Sequence, residues 1–131
     1  MIPQRNLSLL SNRLAREGGR RILESVLERD YCIAWLLVGL SRSSIRDKLA
    51  FKGGTALKRC WFGDYRFSED LDFTLLNEIP FETITKELEE AYQETHHASG
   101  VAFRFSREDR KQHQNCHTFY LAYEGPIPAY L

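Results

Sequence analysis

The sequence predicts an α+β domain in which a small mixed β-sheet is flanked by helices. Two observations predict this class. The first fifty residues place apolar side chains at helical spacing, and the rest alternates helical stretches with short period-two runs. At 131 residues, with 43% apolar and 27% charged residues, the chain has the size and composition of one folded domain. We therefore interpret residues 1–131 as a single domain with a helical N-terminal part, 1–48, and a sheet-containing part, 49–131.

The apolar spacing predicts three helices in the N-terminal part. The first carries Leu7 on its apolar face and is broken at Gly18-Gly19. The second contains the apolar residues of the run 22–27, and Asp30 caps a third. The apolar stripe of this third helix consists of Ile33, Leu36, Leu37 and Leu40.

The sheet-containing part alternates strands and helices. A buried strand over 49–51 runs into Gly53-Gly54, and the pattern in 70–76 alternates apolar and polar residues. The remaining predicted elements are a helix over 55–62, a helix from Phe81 that closes at Ser99-Gly100, a strand over 101–105, a polar turn over 108–115 and a strand over 116–123.

Composition excludes several classes of protein. No run approaches the roughly 20 apolar residues that a membrane span needs, and the N-terminus lacks the pattern of a secretory signal. The three cysteines, Cys32, Cys60 and Cys116, are an odd number without CxxC spacing, which favours reduced thiols. We expect a cytoplasmic protein that has no membrane partner.

Charge is divided unevenly along the chain. Residues 1–60 carry 12 Lys and Arg against 5 Asp and Glu, whereas residues 61–131 carry 6 against 13. The basic half suits an anionic partner and the acidic half a metal site, but the two halves could equally attract each other in the fold. The same choice applies to Arg13, Arg16, Arg20 and Arg21, which could meet RNA phosphates or form a solvated helix face.

The acidic pair Asp70 and Asp72 is a candidate metal site. Two residues apart on a strand, these positions share one face with Cα atoms roughly 6.6 Å apart. Carboxylate oxygens at that separation suit Mg²⁺, and Mn²⁺ as an alternative. The competing interpretation is the solvated side of a strand, although Asp is poorly suited to strands and like charges on one face repel.

The Gly53-Gly54 turn is a candidate phosphate site. A strand that ends in two glycines and opens a helix presents backbone N–H groups to an anion, and Thr55 adds a hydroxyl. Lys52 or Lys58 could add a positive charge. The alternative to a phosphate site is a tight turn that serves only packing. A phosphate cradle followed by an acidic pair on the next strand is a combination that suits phosphoryl transfer.

The motifs KGGTAL at 52–57 and RFSEDLDF at 66–73, with a YEGP turn at 123–126, resemble the nucleotidyltransferase-fold toxins of the AbiEii type. These belong to the superfamily of DNA polymerase β. The resemblance implies transfer of a nucleoside monophosphate from a nucleoside triphosphate, to tRNA 3′ ends in some members or to a protein acceptor. It makes 49–131 the catalytic part and implies a separate transcriptional regulator as antitoxin partner, in a type IV toxin–antitoxin or abortive-infection system.

The resemblance also assigns roles to residues. Asp70 and Asp72 are the implied catalytic residues and the ligands of two Mg²⁺ ions. The residues implied to hold the triphosphate are Gly53, Gly54 and Thr55. Lys52, which lies next to them in the sequence, and Ser68 are further nucleotide-binding candidates.

One departure from the family pattern concerns a third acidic residue, which the family places on a strand shortly after the YEGP-like turn. The sequence ends at Leu131, and nothing in the spacing of Glu108, Asp109 or Glu124 marks a substitute. We therefore expect a truncated chain that binds nucleotide and one metal while turnover drops severely. The alternative function is a catalytically inactive nucleotide- or RNA-binding remnant of this family.

Overall fold

The computed structural model describes residues 1–18, 22–52, 72–76, 78–111 and 116–128. These residues form helices and antiparallel strands, which confirms the predicted α+β class. In chain order the elements are α1 (Gln4–Gly18), α2 (Glu24–Ser41), a 3₁₀ helix (Ser44–Lys48), β1 (Leu49–Lys52), β2 (Asp72–Leu75), α3 (Phe81–Ser99), β3 (Ala102–Lys111) and β4 (Cys116–Glu124).

The described strands form two separate antiparallel pairs, and the parallel pairing that a mixed sheet also needs is not found among these residues. β1 pairs with β2 from Leu49 opposite Leu75 to Lys52 opposite Asp72. β3 pairs with β4 over a longer ladder, which contains an irregularity between Phe105 and Arg107.

Two sequence predictions about element boundaries are wrong. A single helix, α2, replaces the second and third predicted helices, and Asp30 lies inside it rather than at a cap. Strand β3 continues to Lys111, where the sequence predicts a polar turn from Glu108. Its polar residues pair with Cys116–Phe119 of β4 and so satisfy their backbone groups in a ladder. The predicted helix over 55–62 lies outside the described residues.

Helix α3 has the predicted extent. Pro80 precedes its first turn, where the missing N–H of a proline costs no helical hydrogen bond. Gly100 ends it in the left-handed conformation, with φ of +82°, and donates its N–H to the carbonyl of His96. The predicted stop at Ser99-Gly100 is therefore confirmed.

The hydrophobic core lies where α2 crosses α3. Gly39 of α2 sits against this crossing, since a Cβ atom built on it would lie 1.9 Å from Oγ1 of Thr95 and 2.5 Å from the carbonyl oxygen of Ala91. Only glycine permits so close an approach of the two helices. The buried core residues are Leu36, Leu40, Ile45, Ile84, Ala91 and Tyr92.

Candidate active site

The end of β1 and the start of β2 meet at one end of their ladder. Lys52, the last residue of β1, pairs with Asp72, the first residue of β2. Directly opposite residues in an antiparallel pair have Cα atoms about 4.5–5.5 Å apart. Lys52, the first residue of the KGGTAL motif, and Asp72, which belongs to the RFSEDLDF motif, are therefore neighbours in space. We call this place the Lys52–Asp72 end.

The structure locates two of the seven predicted site residues in its described backbone, Lys52 and Asp72. The other five, namely Gly53, Gly54, Thr55, Ser68 and Asp70, lie outside the described residues. The predicted strand over 70–76 is confirmed in its described part, from Asp72 to Leu75. The ligand and nucleotide-binding roles of all seven residues stay predictions.

The β1–β2 pair is attached to the core by one face. Phe73 and Leu75 are half-buried and pack against the core cluster, as does Leu49 of β1, whereas Thr74 is exposed. This alternation is the period-two pattern that the sequence predicts for this strand. The pair therefore has one face against the core and one facing solvent.

A second attachment joins the start of β1 to α3. The Lys48 ammonium forms an ion pair with the Glu87 carboxylate, and the two side chains are 34% and 14% exposed. The Lys48 carbonyl accepts a hydrogen bond of 2.9 Å from the N–H of Leu76, which extends the ladder by one residue. Sequence reasoning missed this pair because 39 residues separate its partners and no local periodicity links them.

The segment after β4 is attached to α2. The buried Glu28 carboxylate accepts a hydrogen bond from the backbone N–H of Ile127. Gly125 lies so close that an added Cβ would stand 2.8 Å from Sγ of Cys32 and 3.1 Å from Cγ and Cδ of Glu28. The glycine of the YEGP motif thus lies in close contact with α2, which the motif alone did not indicate.

Cys32 is buried and is poorly suited to act as a nucleophile. Burial, and after it the nearby Glu28 charge, raise the pKa of its thiol to about 12. Since the thiolate is the reactive form, a thiol that stays protonated is chemically inert at neutral pH.

The late acidic residues lie on the other ladder. Glu108 and Asp109 of β3 pair with Phe119 and Thr118, and Glu124 ends β4 opposite Ala102. In the parts of the chain that the structure describes, no group of three or more His, Cys, Asp or Glu residues could hold a metal ion. No helix in these parts is long and apolar enough to cross a membrane.

These features define a small α+β domain in which two antiparallel strands carry a lysine and an aspartate to one end of their ladder, between a glycine-rich and an acidic motif. The chain belongs to the family of nucleotidyl transferase AbiEii toxins of type IV toxin–antitoxin systems, whose family model matches residues 35–128. The matched region runs from within α2 to the segment after β4, and it contains all seven predicted site residues. Comparison with curated proteins and with solved structures gave no match.

Proposed function

We propose that this nucleotidyltransferase toxin transfers a nucleoside monophosphate from a nucleoside triphosphate to an RNA acceptor, such as a tRNA 3′ end, with Mg²⁺ as its cofactor. The observation that carries the proposal is the register of Lys52 opposite Asp72. It supports a single site because the glycine turn follows Lys52 directly and Asp70 precedes Asp72 by two residues.

The proposed phosphate site is the turn after β1. Backbone N–H groups of Gly53 and Gly54 and the Thr55 hydroxyl bind the triphosphate, and Lys52 supplies a positive charge beside it. Ser68, which begins the motif that leads into β2, contributes a further hydroxyl. Hydrogen bonds from the N–H groups and the lysine offset the free-energy cost of removing these phosphates from water. The nucleotide can then be held in one orientation.

The proposed metal ligands are the carboxylates of Asp70 and Asp72. Their oxygen donors fit Mg²⁺, and Mn²⁺ as an alternative. Exposed Thr74, two residues beyond Asp72 on β2, supports a solvent-facing side for this strand, where a hydrated cation can approach. When bound, Mg²⁺ neutralises phosphate charge and polarises the bond to the leaving pyrophosphate.

The scaffold contributes rigidity to this site. The β1–β2 pair is packed on the core by Phe73 and Leu75 and attached to α3 by Lys48 and Glu87. Strands fixed in this way keep the lysine and the carboxylate in one register, which reduces the entropy that nucleotide binding must offset.

Calorimetric titration with GTP and CTP, each with and without Mg²⁺, tests the site. The parent chain is expected to bind one of them in a Mg²⁺-dependent manner, and Asp70→Asn and Asp72→Asn each to weaken that binding at least about tenfold, a loss of about 1.4 kcal/mol. Asp47→Asn is the matched control, because Asp47 is a carboxylate on the 3₁₀ helix with a side chain 82% exposed. Unchanged binding in both site variants would contradict the metal assignment.

Turnover is tested separately with α-³²P-labelled nucleotide. Label is expected in tRNA, at the severely lowered turnover that the departure from the family's acidic pattern predicts, and absent from bulk protein. Label in protein would instead identify a protein acceptor. A chain that binds nucleotide with Mg²⁺ but labels neither acceptor is the inactive binding remnant.

A further inference from the structure

The exposed face of α1 carries a stripe of arginines. Arg5, Arg13 and Arg16 are exposed, together with Leu9, which is 55% exposed. At about 100° per residue these positions fall within an arc of about 80° on the helix, and they extend about 16 Å along its axis. We call Arg5, Arg13 and Arg16 the arginine stripe.

The opposite face of α1 fixes the direction of this stripe. Leu7 and Ser11 are buried, and the Ser11 hydroxyl donates a hydrogen bond to the carbonyl of Ile22 just before α2. The N–H of Ile2 donates to the hydroxyl of Tyr31 in α2 at 3.1 Å. Because α1 is anchored on α2 at both points, its arginine stripe points away from the rest of the described structure.

The arginine stripe is not neutralised by any residue in the part of the chain that the structure describes. Glu17 is the only acidic residue in α1, and none of the three arginines forms an ion pair with another described residue. Asn6, Leu9 and Leu10 join Arg13 and Arg16 around a shallow groove of about 300 Å³. Among the described residues, the surface thus combines guanidinium groups that have no acidic partner with a small apolar patch.

A linear polyanion fits this arrangement better than a single phosphate group does. Guanidinium groups bind phosphate oxygens in a bidentate manner, and three of them spread over about 16 Å can contact successive phosphates of one strand. Leu9 between them can pack on a ribose or a base. One exposed leucine is too little apolar surface for a membrane.

We propose that the arginine stripe binds the phosphodiester backbone of the RNA acceptor, an inference that rests on the RNA acceptor of the proposed function. The family match begins at residue 35, so α1 lies outside the matched region. The stripe is therefore an acceptor-binding surface to which the family match itself assigns no role.

The test measures fluorescence anisotropy of a labelled RNA hairpin with a single-stranded 3′ end, titrated with the full chain from about 50 to 200 mM salt. The variant is R5Q/R13Q/R16Q. Its matched control is R42Q/R46Q/K86Q, which also removes three exposed positive charges but from other elements. Thermal unfolding of both variants confirms that they are folded.

We expect R5Q/R13Q/R16Q to bind RNA at least about tenfold more weakly than the parent, and the slope of log K against log salt to decrease by about 2, since each phosphate contact of a single strand contributes about 0.7. The control should stay within about twofold of the parent. Equal losses in both variants, or no RNA binding by the parent, would overturn the proposal, and binding of an acidic protein in place of RNA would do so as well.

Titration of the same variants with GTP, CTP and Mg²⁺ separates this inference from the proposed function. R5Q/R13Q/R16Q should bind nucleotide as the parent does, because α1 is not part of the proposed nucleotide site. If the parent binds RNA through the stripe but binds no nucleotide, the proposed function fails while the RNA surface stands. If the parent binds nucleotide but R5Q/R13Q/R16Q binds RNA as the parent does, only this inference fails.

Discussion

The crossing of α2 with α3 and the β1–β2 pair are attached to the same core in different ways. At the crossing, Thr95 and Ala91 have no exposed surface and Gly39 leaves no room for a methyl group. In the β1–β2 pair, Phe73 and Leu75 are only half-buried and Thr74 is exposed. Stability therefore depends mainly on the helix crossing, whereas the strands that carry the candidate site use one face for packing and leave the other for chemistry.

The largest expected effect is at Gly39. In an exposed helix, Gly→Ala stabilises by up to about 1 kcal/mol, but here the new methyl group would overlap Oγ1 of Thr95 and the carbonyl oxygen of Ala91. We expect Gly39→Ala to destabilise the domain by about 2–4 kcal/mol, because a backbone atom cannot move aside as a flexible side chain can. Urea denaturation followed by circular dichroism measures this change.

A double variant checks the cause of that loss. Thr95→Ala removes the closest atom but leaves the Ala91 carbonyl at 2.5 Å, so it should rescue Gly39→Ala only in part. A stabilised Gly39→Ala protein would show that the helices can separate without cost, and the contrast between the two regions would be lost.

The next effect concerns pH and the buried thiol of Cys32. Its pKa is raised from an ordinary 9.0 to about 12, first by burial and then by the Glu28 charge. Between these values the unfolded chain releases the proton and the folded chain keeps it, so the free energy of unfolding should fall as pH rises from about 9 to 12. Below about pH 9 the thiol is protonated in both states and contributes no pH dependence.

Cys32→Ser isolates this contribution. The variant should lose stability less steeply above pH 9, by at most about 1.4 kcal/mol per pH unit for one proton. The pKa of Tyr92 is raised by burial and then by Glu89, so this residue contributes the same loss of stability at alkaline pH in both proteins. Parallel curves for parent and variant in this range would show that the thiol ionises as readily in the fold as in the unfolded chain.

The fold could be predicted where apolar periodicity alone decides it. Helix α3 follows the spacing of Phe81, Ile84 and Leu88, and Gly100 marks its end in the sequence and in the structure. The predicted division of this region into two helices was wrong because Asp30, a residue type that favours helix caps, was interpreted as the start of a new helix. A contact 99 residues away, between Glu28 and Ile127, accounts for the buried carboxylate at that point, and no local pattern contains it.

The candidate site, like the fold, could be predicted from the sequence only in part. Residue types and short spacing indicated Lys52 and Asp72, and the ladder register shows that these two positions are neighbours. The attachment of the strand pair to α3 could not be predicted, because Lys48 and Glu87 are in contact across distant parts of the chain. Motifs identify chemistry, whereas tertiary packing decides which residues hold that chemistry in place.

The smallest expected change in stability is at the candidate site itself. Asp70→Asn and Asp72→Asn should each alter the free energy of unfolding by no more than about 0.5 kcal/mol, the range of surface substitutions, and relief of repulsion between the two carboxylates could make the change stabilising. The same urea denaturation without Mg²⁺ measures it, with Thr74→Ala as a control at an exposed position of β2. Added Mg²⁺ and nucleotide should then stabilise the parent and the Thr74→Ala variant more than either aspartate variant, since stabilisation by a ligand falls as its affinity falls. If either substitution lowered the free energy of unfolding by several kcal/mol without ligand, the carboxylates would be needed for the fold. The contrast between a helix crossing that provides stability and a strand pair that carries the site would then have to be abandoned.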